Sequence, residues 1–173
     1  MKFQNNFILS IFAIFIFSSS VKSQNVWPDG TKIDRWFKEV KPTDINKLGK
    51  KYILTANGVK NDSTILQTKE LQAVIDLASK NGGGVVVVPK GTFLISSVFF
   101  KQGTHLHLEN GAKLKGSDDI NDFPVVTTRM EGQTVKYFPA LINADGLDGF
   151  TISGKGTLDG NGLRFWKSFW NGR

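Results

Sequence analysis

The chain has 173 residues, with 22 Lys and Arg against 15 Asp and Glu, a formal net charge of +7, and no cysteine. The lack of cysteine excludes a disulfide-stapled fold and a lipid anchor at a cleavage-point cysteine, so the fold must be held by core burial. The basic excess suits an acidic polymer, but it is spread without a basic run, and no nucleic-acid partner is expected from it.

The N-terminus reads Met1-Lys2, then an apolar run from Phe7 to Phe17, then small residues around Val21-Lys22-Ser23. A bilayer span needs about 20 apolar residues, so this order reads as a secretory signal peptide over residues 1–23. Cleavage after Ser23 leaves 150 residues starting at Gln24 and lowers the charge to +5, because Lys2 and Lys22 depart. A secreted or periplasmic location follows, with no stable membrane insertion after cleavage.

Residues 24–56 carry a Pro28-Asp29-Gly30 turn and scattered aromatics without a sustained period, and read as an N-terminal arm packed against the main domain. Thr64 to Lys80 reads as a helix. Leu71, Val74, Ile75 and Ala78 fall on one face, Thr64 and Gln67 have capping-box spacing, and Asn81-Gly82-Gly83-Gly84 ends it. The β-branched run Val85–Val88 then has buried-strand character.

From there the chain repeats. Val86, Val88, Gly91 and Leu94 align with Leu106, Leu108, Gly111 and Leu114 at an offset of 20 residues. Phe150, Ile152, Gly156 and Leu158 fit as a further copy with one extra residue in its turn, leaving room for an intervening coil with a loop. Short strands, glycine corners and a period of about 20 residues point to an all-β solenoid, a parallel β-helix over residues 57–173. The helix 64–80 is placed as its N-terminal cap, because a solenoid's first coil exposes both a core and a strand edge. No equivalent cap follows the aromatic stretch Phe165–Trp170, so the solenoid is expected to be truncated at its C-terminal end.

The run Asn57–Thr64, the block Gly82–Phe93 and the block Gly154-Lys155-Gly156-Thr157-Leu158-Asp159-Gly160-Asn161-Gly162 together resemble glycoside hydrolase family 28, the polygalacturonase family, in the N-terminal stretch of a bacterial member. The resemblance implies a right-handed parallel β-helix and inverting hydrolysis of α-1,4-galacturonosidic or rhamnogalacturonan linkages. It implies a monomer without cofactor or metal, acting on pectin or polygalacturonate of plant cell walls. Inversion needs a carboxylic acid and a carboxylate base about 6.5–9.5 Å apart, to admit the attacking water. The family carries its acids in Asn-x-Asp and Asp-Asp motifs, followed by Gly-His-Gly and Arg-x-Lys. Asp118-Asp119 matches by letters alone, without the Asn-x-Asp before it, and the two histidines lie in Thr104-His105-Leu106-His107-Leu108. No catalytic residue can be assigned.

Several side chains need an individual reading. His105 and His107 alternate with Leu106 and Leu108, so they read as a solvated strand face, lacking a third metal ligand at suitable spacing. Asp145, Asp148 and Asp159 sit among glycines, where Asp commonly bonds its own backbone. Phe165, Trp166, Phe169 and Trp170 have helical spacing beside Arg164 and Lys167. Packing across the solenoid flank is the favoured reading, with Arg164, Trp166 and Trp170 as candidate substrate-binding residues, because rings stack on sugar faces and Arg pairs with carboxylates. A Ca²⁺-dependent pectate-lyase-like eliminase and a non-catalytic carbohydrate-binding β-helix remain as alternatives. Mass spectrometry of exported protein should find Gln24 at the N-terminus, and a retained Met1 would overturn the signal-peptide assignment.

Overall fold

The computed structural model describes residues 25–37 and 42–172, and the segment 1–23, read from the sequence as a signal peptide, lies outside them. The chain divides into two units, Met1–Lys41 and Pro42–Arg173. In the first, Val26 bridges Lys32 in antiparallel fashion around the Pro28-Asp29-Gly30 turn, where the Asp29 carboxylate accepts from Thr31 N at 2.9 Å. Trp27 packs edge-on against Phe37 at 5.1 Å.

In the second unit, β1 (Lys51–Ile53), β2 (Gly84–Val88), β5 (Thr104–Leu108) and β10 (Ile152–Gly154) pair in that order, all parallel. A second parallel sheet joins β3 (Gly91–Ile95), β6 (Ala112–Gly116) and β11 (Thr157–Asp159), and β4 (Val98–Phe99) pairs in parallel with β9 (Ile142–Asn143). Beyond the first pass, each strand of these three sheets thus lies on one from the pass before it. Residues 42–56, assigned from sequence to the arm, lie in this unit: β1 hydrogen-bonds along β2, and the 3-10 turn Ile45–Leu48 contacts β2. Val85 to Val88 are accordingly buried on both faces, as their β-branched run anticipates.

The strand repeat holds in part. Val86 pairs with Leu106 and Val88 with Leu108 as expected, but Phe93, not Leu94, lies beside Leu114. The reason is the turn: Glu109-Asn110-Gly111 has one residue more than Pro89-Lys90, which shifts the register of the following strand. In the third copy Ile152 pairs with Leu106, not with Leu108, because the Lys155-Gly156 turn is shorter than expected, not longer. Gly154 makes that tight turn possible. Its φ is +105°, and a Cβ there would lie 1.9 Å from the Leu108 carbonyl oxygen. No coil intervenes between the second and third copies, since β10 pairs directly with β5. Residues 117–141 instead leave the stack and form the antiparallel hairpin β7 (Val126–Met130) and β8 (Gln133–Tyr137) before β9 returns to it.

Inward residues of successive strands form one core: Val86, Val88, Phe93, Ile95, Val98, Leu106, Leu108 and Leu114 are all buried. His105, His107 and Lys113 alternate with them on the other face. Ile152 and Leu158, expected inside, are in register with Leu106 and Leu114 but 47% and 41% exposed. Among the described residues each is covered on one side only, by β5 or β6.

The helix, α1, runs Thr68–Lys80 and buries Leu71, Val74, Ile75 and Ala78 in that core. It starts later than residue 64, and the capping box does not form. Buried Gln67 binds the Lys60 backbone instead, accepting from its N at 2.6 Å and donating to its O at 2.7 Å, while Thr64 donates to Asp62. Two polar side chains of α1 then reach the sheets. Thr68 Oγ1 accepts from Ser96 N at 2.7 Å. Gln72 exchanges two bonds with the Phe99 backbone, accepting from N at 2.8 Å and donating to O at 2.9 Å, as a neighbouring strand would.

Three substitutions test this register. Leu108→Ala should cost about 2–5 kcal/mol, and His107→Ala about 1 kcal/mol for one half-buried hydrogen bond. Gly154→Ala should cost about 1–3 kcal/mol by overpacking against the Leu108 backbone. Denaturant unfolding measures all three, and equal losses at Leu108 and His107 would show the strand facing wrongly assigned.

Candidate functional site

The candidate site residues sit on the helix α2 (Leu163–Asn171), which follows β11 through Asn161-Gly162. Trp166 N–H donates to the Gly162 carbonyl at 2.9 Å, closing its first turn. At about 100° per residue only one stripe of such a helix can face the body of the protein. Phe165 occupies that stripe, half-buried and ringed by Phe138 at 6.2 Å and Phe123 at 6.4 Å.

Flank packing therefore holds for Phe165. Trp166 is 62% exposed and Trp170 49%, and Phe169 is exposed as well. The two indoles lie one helical turn apart with ring centroids 5.4 Å apart and planes at 61°. Phe169 stands edge-on to Trp170 at 5.3 Å. Arg164 reaches toward the Asp118 carboxylate at 3.9 Å, both groups more than half exposed. Solvent makes such a pair weak, so a ligand carboxylate could replace Asp118 at little cost. A cavity of about 190 Å³ lies between Arg164 and Ser168 on the helix and Asp118 to Asn121 on the loop.

The loop is organised by hydrogen bonds to two of its acids, Asp119 and Asp122. Asp119 caps the 3-10 turn Ile120–Asp122 by accepting from Asn121 N at 2.9 Å, and this bond draws its carboxyl below the ordinary range. Asp122 accepts a hydrogen bond from the Ser117 hydroxyl. Asp159 behaves alike: Oδ1 accepts from Asn161 N at 2.9 Å, and Lys113 Nζ lies 3.4 Å from Oδ2. The Asn161 amide first, then Lys113, lowers its pKa, as the turn reading requires and a proton donor would not. Asp148 is held through its backbone, by the side-chain amide of Gln102.

The histidines are half-buried rather than solvated. His107 Nδ1 lies 2.9 Å from Ser153 Oγ on the strand above, a contact that alternation alone does not predict. Burial lowers the pKa of His105. Among the described residues no group of three or more His, Cys, Asp or Glu is placed to hold a metal ion. Nor is any helix there long and apolar enough to cross a membrane.

No protein-family model matches the chain. An exo-poly-alpha-D-galacturonosidase of Dickeya chrysanthemi is 33% identical over 123 residues, covering 66% of this chain and 19% of that protein. Among solved structures, a hyperthermoactive exopolygalacturonase of Thermotoga maritima superposes with a TM-score of 0.60 at 29% identity, over 69% of this chain and 26% of that one. The family 28 exopolygalacturonase of Yersinia enterocolitica gives a TM-score of 0.57 at 29% identity, over 70% of this chain and 21% of its own. The chain is thus a relative of the family 28 polygalacturonases over about two thirds of its residues, and spans about a fifth of the curated relative's length.

The pH dependence of Asp159 follows from its lowered pKa. A depressed carboxyl stabilises the fold above its unfolded value of about 3.9, and the contribution is lost as pH falls through the lower folded value. Asp159→Ala should therefore reduce the thermal midpoint near neutral pH, with the difference from wild type narrowing below about pH 4. A difference that stays constant down to pH 2 would show that the carboxylate charge is irrelevant to the turn.

Proposed function

We propose that residues 24–173 form the opening coils of a right-handed parallel β-helix in an exported, pectin-degrading glycoside hydrolase of polygalacturonase type. The observation that carries this reading is the kinship with exopolygalacturonases, in sequence and in superposed structure, over about two thirds of the chain. In this reading α1 is the cap of the first coil. Gln72, Thr68 and the apolar face of α1 occupy hydrogen-bonding and packing positions that a preceding coil would otherwise fill. The substrate is a galacturonic-acid polymer, cleaved with inversion by two carboxylic groups that face each other across the glycosidic bond.

The described carboxylates do not supply that pair. Asp119, Asp122 and Asp159 are committed to turns by hydrogen bonds to neighbouring backbone or side chains. Positioning without both carboxylates gives little rate enhancement. The contribution of these residues to the whole enzyme is therefore scaffold and substrate contact, with Arg164, Trp166 and Trp170 as the contact residues.

Reducing-end assays on polygalacturonate test the proposal. The chain of residues 1–173 should release nothing above background, whereas a chain that also carries the Asn-x-Asp, Asp-Asp, Gly-His-Gly and Arg-x-Lys motifs should hydrolyse the polymer with inverted stereochemistry. Robust hydrolysis by residues 24–173 that vanishes in Asp159→Asn would overturn the scaffold reading. Unsaturated uronate products would replace hydrolysis by elimination.

A further inference from the structure

The hairpin β7–β8 takes no part in the stacked sheets and has a surface of its own. Its two-residue turn, Glu131-Gly132, has φ of +49° and +83°, the left-handed pair that suits the twist of a tight hairpin. Cross-strand pairing sets Thr127 opposite Lys136 and Arg129 opposite Thr134. Alternation puts these four side chains on one face, and all four are exposed. On the other face Val126, Thr128 and Val135 are half-buried, while Met130, Gln133 and Tyr137 are exposed. The exposed face therefore sets a hydroxyl against a cation twice over. It contains no carboxylate, since Glu131 at the tip is the hairpin's single acid.

Arg129 and Lys136 occupy diagonal positions, about 7–8 Å apart by the usual sheet spacing. The nearest sequence acid, Glu131, sits at the tip, and neither cation has an ion-pair partner among the described residues. Like charges on one strand pair repel, so an anion bridging them is favoured. The hairpin is also held in place. Tyr137 stacks on Phe138 at 4.3 Å, and Phe138 lies 5.8 Å from Phe123 and 6.2 Å from Phe165 of α2. One aromatic cluster thus pins the base of the hairpin, the loop 118–123 and the helix bearing Trp166 and Trp170.

We propose that the Thr127, Arg129, Thr134 and Lys136 face of the hairpin is a second contact surface for the polyuronate chain, fixed by the Phe123–Phe138–Phe165 cluster in a set position relative to the indoles of α2. The inference rests on the pectin reading above. It adds a separate anchor outside the stacked sheets, where cations take the carboxylates and threonine hydroxyls take the sugar hydroxyls.

Affinity electrophoresis of the full chain in gels containing polygalacturonate, fully methyl-esterified pectin or neutral dextran tests it. Arg129→Gln with Lys136→Gln should weaken retention on polygalacturonate about 3–10-fold, the range for two exposed charge contacts. Thr127→Val with Thr134→Val should weaken it less, and retention on the esterified polymer should be small for every variant. Lys51→Gln with Lys155→Gln removes the same charge elsewhere and should leave retention unchanged. Unchanged thermal midpoints establish that the variants are folded. If the hairpin variant is retained like wild type, or the control loses as much, the surface proposal fails and the pectin reading stands. If wild type is not retained on polygalacturonate at all, both fail.

Discussion

Everything in the second unit depends on parallel backbone pairing between passes of the chain that lie one on another. A strand such as β5 is hydrogen-bonded on both edges, by β2 and by β10, so its N–H and C=O groups are satisfied without solvent. The same pairing places Val86, Leu106 and Ile152 in one column and Phe93, Leu114 and Leu158 in another. Burial then follows from position in the column. Leu106 and Leu114, covered from both sides, are fully buried, whereas the outermost described members of the two columns remain exposed.

Such pairing leaves a problem at each edge, and the first edge is met by side chains as well as strands. β1 covers β2, and Leu66 bridges Leu94 at the edge of β3. At β4 no strand among the described residues lies before it, and Gln72 of α1 supplies an amide with the same donor and acceptor as a peptide. The helix is thus joined to the sheets by polar bonds at Thr68 and Gln72 and by four buried apolar side chains. Apolar burial stabilises the docking, and the directional bonds set its rotation.

Excursions from the stack carry the exposed chemistry. Because β10 returns directly onto β5, the residues from 117 to 141 are free of the sheet register and can form a loop and a hairpin. Two of their acids, Asp119 and Asp122, are bonded locally in turns, and the indoles of α2 and the cations of β7–β8 face outward beside the exposed Asp118 and Glu131. A surface of indoles, guanidinium, ammonium and hydroxyl groups suits an acidic sugar polymer, and the same elements are tied together through Phe123, Phe138 and Phe165.

The amino-acid pattern alone placed the inward residues Val86, Val88, Leu106, Leu108 and Leu114 and the buried face of the helix, because alternation and helical periodicity are local consequences of backbone geometry, while the kinship with polygalacturonases was carried by the motif blocks. It also identified Asp159 as a turn residue, since Asp beside glycine bonds its own backbone. Register lay beyond it: whether Phe93 or Leu94 meets Leu114 depends on the length of the turns as folded, and the strand gained from residues 51–53 is too short to carry a period. The capping pair Thr64 and Gln67 had the right spacing, but the tertiary structure gave Gln67 a buried backbone to satisfy, at Lys60, and the helix start moved to Thr68. At the candidate site the residue types were legible and their exposure was not. Four aromatics at helical spacing look alike in one dimension, and only the placement of Phe123 and Phe138 decides that Phe165 turns inward while Trp166 and Trp170 face solvent.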